Sequence, residues 1–195
     1  MARQYTRKII REVFVRMLNE KPLDSITVTD IVAECEINRK TFYYYYSDLH
    51  AVLNELFEIE LEKVVEEYNE TRTWEDSFLV AAKFALENKK AIYHVYYSIR
   101  REELERYLYN VAGNVMRNYV EYVSRDINAY EADKQIIACF YQSALTEMVL
   151  RWISQGMKDD PSKAIKRIGQ LFDGNIAMSL KRSTNLSPGR WEPNF

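Results

Sequence analysis

Residues 39–46 read RKTFYYYY: a guanidinium, an ammonium and a hydroxyl, followed by five consecutive rings, four of them phenolic. Arg39 offers a planar fork of donors that suits a phosphate or a guanine edge, Lys40 a point charge, and Thr41 both a hydroxyl and a methyl. Tyr43 can donate to a phosphate while its ring packs on a sugar or a thymine methyl. A buried core seldom takes four phenols in a row, and a solvated face seldom takes five rings, so the stretch is built to meet something. Wound as a helix, it places Arg39 and Tyr43 on one stripe, Lys40 and Tyr44 on the next, and Thr41 and Tyr45 on a third, while Phe42 turns inward. The alternatives are an aromatic core cluster and an exposed protein-binding patch; neither accounts for Arg39, Lys40 and the cap pattern upstream.

The flanking residues say what holds this stretch. Ile9, Ile10, Val13, Phe14 and Met17 recur at spacings of three and four, which predicts a first helix over residues 5–19 beside the basic face of Arg7, Lys8 and Arg11. Lys21-Pro22-Leu23-Asp24 interrupts it. Thr27 then opens a short second helix marked by Val28, Ile31, Val32 and Cys35, and Glu36-Ile37 makes a turn. Asn38 is a good N-cap for a third helix through about Tyr44, and Ser47 or Asp48 can cap a fourth that opens at Leu49 and continues to about Tyr68. Two short helices joined by a tight turn, the second rich in Arg, Lys, Thr and Tyr, outline a helix-turn-helix.

Here a resemblance becomes specific. Residues 26–53, ITVTDIVAECEINRKTFYYYYSDLHAVL, resemble the signature of the TetR/AcrR family of bacterial transcriptional regulators: a Thr-rich helix start, an Ile-Ala pair, a small turn and a Thr-aromatic-Tyr-Tyr-x-aromatic run in this order. The likeness covers about the first 55 residues; the rest resembles the family in length and helical layout alone. It implies that Arg39, Lys40, Thr41, Tyr43 and Tyr45 contact DNA, with Tyr44 on the same exposed side, and that Phe42 and Tyr46 lock the reading helix onto its neighbours. It further implies that Thr27 and Thr29 hold adjacent phosphates. Three departures stand out: Glu36 replaces the common turn Gly, Leu49 replaces a Lys that reaches a phosphate, and residues 1–50 hold eight Lys or Arg against seven Asp or Glu. Arg3, Arg7 and Lys8 must then supply much of the electrostatic pull, unless they form no more than a solvated helix face.

Composition bounds the remainder. The 195 residues carry 27 Lys or Arg and 29 Asp or Glu, a formal net charge of -2, which argues against wholesale coating of nucleic acid or membrane. Charge is segregated nonetheless, since residues 55–76 hold nine acids against two bases. Cys35 and Cys139 are too few for a disulfide framework; Cys35, beside the turn, is read as a small buried hydrophobe in preference to a redox switch. His50 and His94 show no metal-ligand spacing, and no Gly precedes residue 113, so no metal, cofactor or phosphate-cradling loop is expected, and catalysis has no foothold. With no long apolar run, the expectation is a cytoplasmic protein that makes no membrane contact.

Beyond residue 69 the periodicity predicts helices near 75–87, 90–98, 101–125, 131–155 and 162–181. Ring-bearing residues Tyr93, Tyr96, Tyr97, Tyr107, Tyr119, Tyr122, Phe140 and Tyr141 are read as the lining of an effector pocket, with core filling as the alternative. Residues 136–153 are apolar over more than one contact face, and Ile165 to Leu180 add a second stripe. Ile137, Leu145, Met148, Trp152, Ile168, Phe172 and Ile176 are accordingly placed at a homodimer interface, a four-helix bundle, against the alternative of a pair buried within one subunit. The expected architecture is all-α: a helix-turn-helix domain at 1–50 with a linking helix at about 49–68, a larger helical effector-binding and dimerisation domain at 69–182, and an irregular tail at 183–195. The expected function is a one-component transcriptional regulator, a repressor by preference, that binds a pseudo-palindromic double-stranded operator as a homodimer and is released by a small-molecule effector. An activator, or a partner-recruiting variant without inducer, is the nearest alternative, and a helical carrier or adaptor is the rival from another class.

Overall fold

The computed structural model describes residues 2–71, 73–98 and 100–186. Among them the fold is all-α, with no strand: α1 (Ala2–Glu20), a 3-10 turn (Leu23–Ser25), α2 (Val28–Glu34), α3 (Arg39–Tyr45), α4 (Leu49–Thr71), α5 (Trp74–Glu87), α6 (Lys89–Tyr96), α7 (Arg101–Val123), α8 (Glu131–Ser154), α9 (Pro161–Phe172) and α10 (Asn175–Ser183). Of the predicted tail, residues 187–195 lie outside the described residues. No described helix is long and apolar enough to cross a membrane.

The chain packs as two compact units. One joins Met1–Glu60 to Phe84–Tyr107; the other joins Leu61–Lys83 to the chain from Leu108 onward. In the first, Ile10, Phe14, Ile31, Phe42 and Val52 are wholly buried, and α6 packs on α1 through Ile92 and Val95. The Ala91 N–H donates to Asn19 Oδ1 at 3.3 Å, and His94 Nδ1 donates to the Leu18 carbonyl at 2.5 Å, which fixes the proton on that nitrogen. The helix-turn-helix therefore rests on a sequence-distant helix as well as on its own three. In the second unit, α7 and α8 close on each other at Gly113, where a Cβ would strike the Gln142 side chain, and Gln142 Nε2 donates to the Tyr109 carbonyl at 3.0 Å. The Ser183 hydroxyl donates to Asp133 at 2.6 Å and accepts from the Tyr130 N–H at 3.1 Å, tying the end of α10 to the start of α8.

The helix predicted over 162–181 is two helices. Gly174 adopts φ 71°, a left-handed conformation that a side chain would disfavour, and the chain turns there before α10. The apolar residues that suggested continuity, Phe172, Ile176 and Leu180, fall on both sides of the break.

Candidate functional site

Each piece of the helix-turn-helix is set by local chemistry. Thr27 Oγ1 accepts from the Asp30 N–H at 3.2 Å while the Asp30 carboxylate accepts from the Thr27 N–H at 3.0 Å, a reciprocal cap that starts α2. Lys21 Nζ meets the same carboxylate at 2.9 Å, and that contact, ahead of the two from Thr27, holds Asp30 below the usual carboxylate pKa. At the far end of α2 the Ile37 N–H donates to the Val32 carbonyl at 3.0 Å and the Glu36 N–H to Ala33 at 3.2 Å. These are the paired bonds of a Schellman turn, with Glu36 at φ 54° where glycine is usual. The turn therefore closes with a side chain in the left-handed region, and Glu36 in place of the common Gly leaves it intact.

Asn38 Oδ1 accepts from the Thr41 N–H at 2.8 Å and from the Thr41 hydroxyl at 3.1 Å, which starts α3. Phe42 is 0% and Tyr46 4% exposed, so two rings anchor the helix, whereas Tyr43 at 54% and Tyr44 at 60% stand in solvent. Arg39 and Lys40 are exposed beside them, and Tyr45, half-buried, meets Tyr44 edge to face at 4.9 Å. The Arg39 guanidinium rests on the Thr29 hydroxyl at 2.5 Å, joining the fork of α3 to the first turn of α2. Thr27, Thr29, Arg39, Lys40, Tyr43 and Tyr44 are all exposed, and the Arg39–Thr29 contact joins the two helices of the motif. Thr41 is half-buried, and its hydroxyl hydrogen already serves the Asn38 cap.

The expected N-terminal basic cluster divides. Arg7 lies 2.6 Å and Arg11 3.0 Å from Glu55 Oε1, and the Tyr46 phenol donates to the other carboxylate oxygen. The Arg7 guanidinium also sits over the Tyr46 ring, 5.7 Å from its centroid. Burial first, and the Glu55 carboxylate next, push the Tyr46 phenol above its ordinary pKa, so it stays protonated and donates. Glu55 joins α1, the end of α3 and α4 in one polar knot, with the Arg7 side chain, still 45% exposed, at its edge. Lys8 remains exposed, within 3.8 Å of Glu12, and the side chain of Arg3 lies outside those described. Residue types alone place Glu55 among the nine acids of residues 55–76; the signal that points to its role is the pair Arg7 and Arg11, four apart on one helix face, beside a phenol that the motif buries.

Of the eight rings expected in one pocket, two share a cavity among the described residues. Tyr93 and Tyr96 lie on α6 and Tyr97 caps its end, with Tyr93 stacked on Tyr97 and Arg101 over Tyr96. Tyr107 is buried and stacks on Phe57 at 4.5 Å, and burial pushes its phenol up. Tyr122 is 42% exposed beneath Arg125, and Phe140 is 67% exposed. Tyr119 and Tyr141 alone of the eight line a cavity of about 240 Å³ in the second unit, enclosed by α5, α7, α8, α9 and α10. A pocket wall drawn from five helices cannot be assembled from the period of any one of them.

Of the expected interface residues, Leu145 and Ile176 are buried within the subunit, and with half-buried Ile168 and exposed Phe172 they line that same cavity. Trp152 is half-buried and donates from Nε1 to the Asp159 carbonyl at 2.9 Å; Ile137 is half-buried as well. Met148 is 47% and Phe172 47% exposed, so these two also reach the surface, joined there by Phe140 and Leu171 (60%). Phe140, Tyr141 and Phe172 form a chain of edge-to-face rings at 5.6 and 6.4 Å, so the exposed apolar ground on α8 and α9 is continuous.

Comparison with known proteins places these features. Residues 72–174 match the family described as the transcriptional regulator C-terminal region, of TetR type. The HTH-type dhaKLM operon transcriptional activator DhaS of Lactococcus lactis subsp. lactis (strain IL1403) is 26% identical over 84 residues, which are 43% of this chain and 45% of that protein, so the alignment spans less than half of the relative. Among solved structures, a dihydroxyacetone kinase operon activator DhaS superposes with a TM-score of 0.73 over 89% of this chain and 97% of that one, at 19% identity, a likeness of fold.

Proposed function

Because the chain belongs to the TetR family of transcriptional regulators, we propose that it binds a pseudo-palindromic operator as a homodimer through α2 and α3 and answers a small molecule held in its C-terminal helices. The observation that carries the reading is the face of α3. Arg39, Lys40, Tyr43 and Tyr44 stand exposed on a helix whose other side is pinned by Phe42 and Tyr46, and Arg39 reaches across to Thr29. Rings and cations presented rigidly in this way suit a groove edge and its phosphates. Lys8 adds a phosphate contact outside the motif, and Thr41 reads through its methyl. Duplexes selected from a randomised library, followed by fluorescence anisotropy across a salt series, test it. Specific binding that Arg39→Ala weakens is expected, and a protein that selects no sequence would sink the reading.

A second copy is the natural cover for Phe140, Met148, Leu171 and Phe172. The apolar face of α9 supports this, since none of its twelve residues is buried within the subunit. In such a dimer the two reading heads must lie about one duplex turn apart, roughly 34 to 36 Å. α4 runs unbroken from the first unit into the second, and Trp74 and Glu75, just beyond it, line the cavity. A ligand that shifts these residues moves α4 and hence the head spacing. Linkage requires that operator and ligand weaken each other by the same factor.

Occlusion of a promoter makes repression the first expectation for the output. Activation is the second reading, favoured by the name of the relative, a transcriptional activator in both likenesses. Transcription in vitro from the bound promoter, with and without the protein, separates the two.

A further inference from the structure

The cavity's wall has a one-sided charge. Its polar groups are the Glu75 and Asp173 carboxylates, the Tyr119 and Tyr141 phenols and the Trp74 indole N–H, and no Lys, Arg or His lines it. Among the described residues, no ion pair engages Glu75 or Asp173. Glu75 is half-buried and lies against the backbone of α9 at Gly169, where a Cβ would collide with its carboxylate. The absence of a side chain at 169 is what lets an acid sit there. Burial, with Asp76 and Asp173 adding to it, raises the Glu75 carboxyl above its usual pKa, the sign of a carboxylate without a compensating cation. Burial, then Glu75 and Asp173, also raises Tyr119, which keeps its phenol neutral.

We infer that this cavity takes a small organic cation, its charged head against the Glu75 and Asp173 carboxylates and its apolar body among Trp74, Tyr119, Tyr141 and Phe172. The inference rests on the effector reading above and names the chemistry of that ligand. An anion would meet the half-buried Glu75 carboxylate and the exposed Asp173 carboxylate at the cavity's edge, and a neutral molecule would desolvate Glu75 without pairing it. A cation relieves both and gains from the ring faces. At about 240 Å³ the space is below the usual range of roughly 300 to 1,000 Å³ for drug-sized ligands, so the molecule is small.

Calorimetric titration of the full chain, without DNA, compares benzyltrimethylammonium with benzyl alcohol and benzoate. The cation binds, benzoate does not, and Glu75→Gln weakens the cation about tenfold or more while the melting transition is retained. Asp173→Asn, at an exposed turn, is the second variant should the first disturb folding. Affinity also falls as pH drops through the raised Glu75 pKa, since the cation favours the ionised form. No binding of the cation at millimolar concentration, equal binding of benzoate or benzyl alcohol, or indifference to both substitutions overturns the inference. Operator release is read separately by anisotropy. A cation that binds at Glu75 yet leaves the operator complex unchanged sinks the effector reading and keeps this one; an operator response confined to uncharged or anionic molecules does the reverse.

Discussion

α3 and α9 both display large aromatic or apolar residues to solvent, and they hold them in opposite ways. α3 has seven residues, a side-chain cap at its start and two buried anchors, Phe42 and Tyr46, so its exposed rings are fixed before anything arrives. α9 has twelve residues, a proline at its first turn beneath the Asp160 cap, and no buried residue at all. One surface is preorganised, as recognition of a rigid duplex requires. The other is completed by whatever covers it, and its stability depends on that cover.

The comparison breaks most visibly at the anchors. Phe42→Ala should destabilise the first unit by about 3 to 5 kcal/mol, the cost of an emptied aromatic site, and abolish operator binding. Phe172→Ala on α9, with its ring half in solvent, should cost far less; denaturant midpoints of the two variants measure the contrast. Next in size, a carboxylate in the uncovered ground, Met148→Glu or Phe140→Glu, should turn dimers into monomers, since association would bury an unpaired charge. Operator affinity should then fall by about a hundredfold or more, with a shallower salt dependence, although α3 is untouched. Light scattering and anisotropy on one sample decide it; a variant that stays dimeric would move the interface elsewhere.

A smaller change sharpens the claim about α3. Tyr43→Phe removes one hydroxyl from a helix otherwise unaltered and should weaken operator binding by about 1 kcal/mol, read from anisotropy isotherms. The smallest effect tests the scaffold without the reading face. Glu36→Gly relieves the left-handed conformation at the turn and should stabilise the protein by about 0.5 to 1 kcal/mol, net of glycine's greater freedom when unfolded, while operator affinity stays constant. A loss of affinity would show that Glu36 does more than occupy a turn.

Much of α3 was legible because its determinants are local: Asn38 as cap, Phe42 inward, Tyr43 and Tyr44 outward all follow from helical phase within eight residues. The helices of the C-terminal half were legible too, since long apolar periods survive without tertiary knowledge. What failed is what several elements decide together. Gly174 inside an apolar rhythm reads as a tolerated helix glycine until the left-handed turn is seen. Leu145 and Ile176 fit a dimer seam or a subunit core equally well by spacing alone, and both are buried within the subunit. Arg7 looks like a free cation until Glu55, 48 positions later, is brought to within 2.6 Å.

That last contact has a consequence for how the first unit comes apart. With Arg7, Arg11 and Tyr46 all converging on one carboxylate of α4, the start of α4 cannot lift away without stripping partners from α1 and from the end of α3 at once. Local fraying of any one of the three is thereby coupled to the other two, and they form a single cooperative opening unit. Their slowest backbone amides should exchange hydrogen with one shared opening free energy, and Glu55→Gln should lower that common value while letting the three segments begin to open independently.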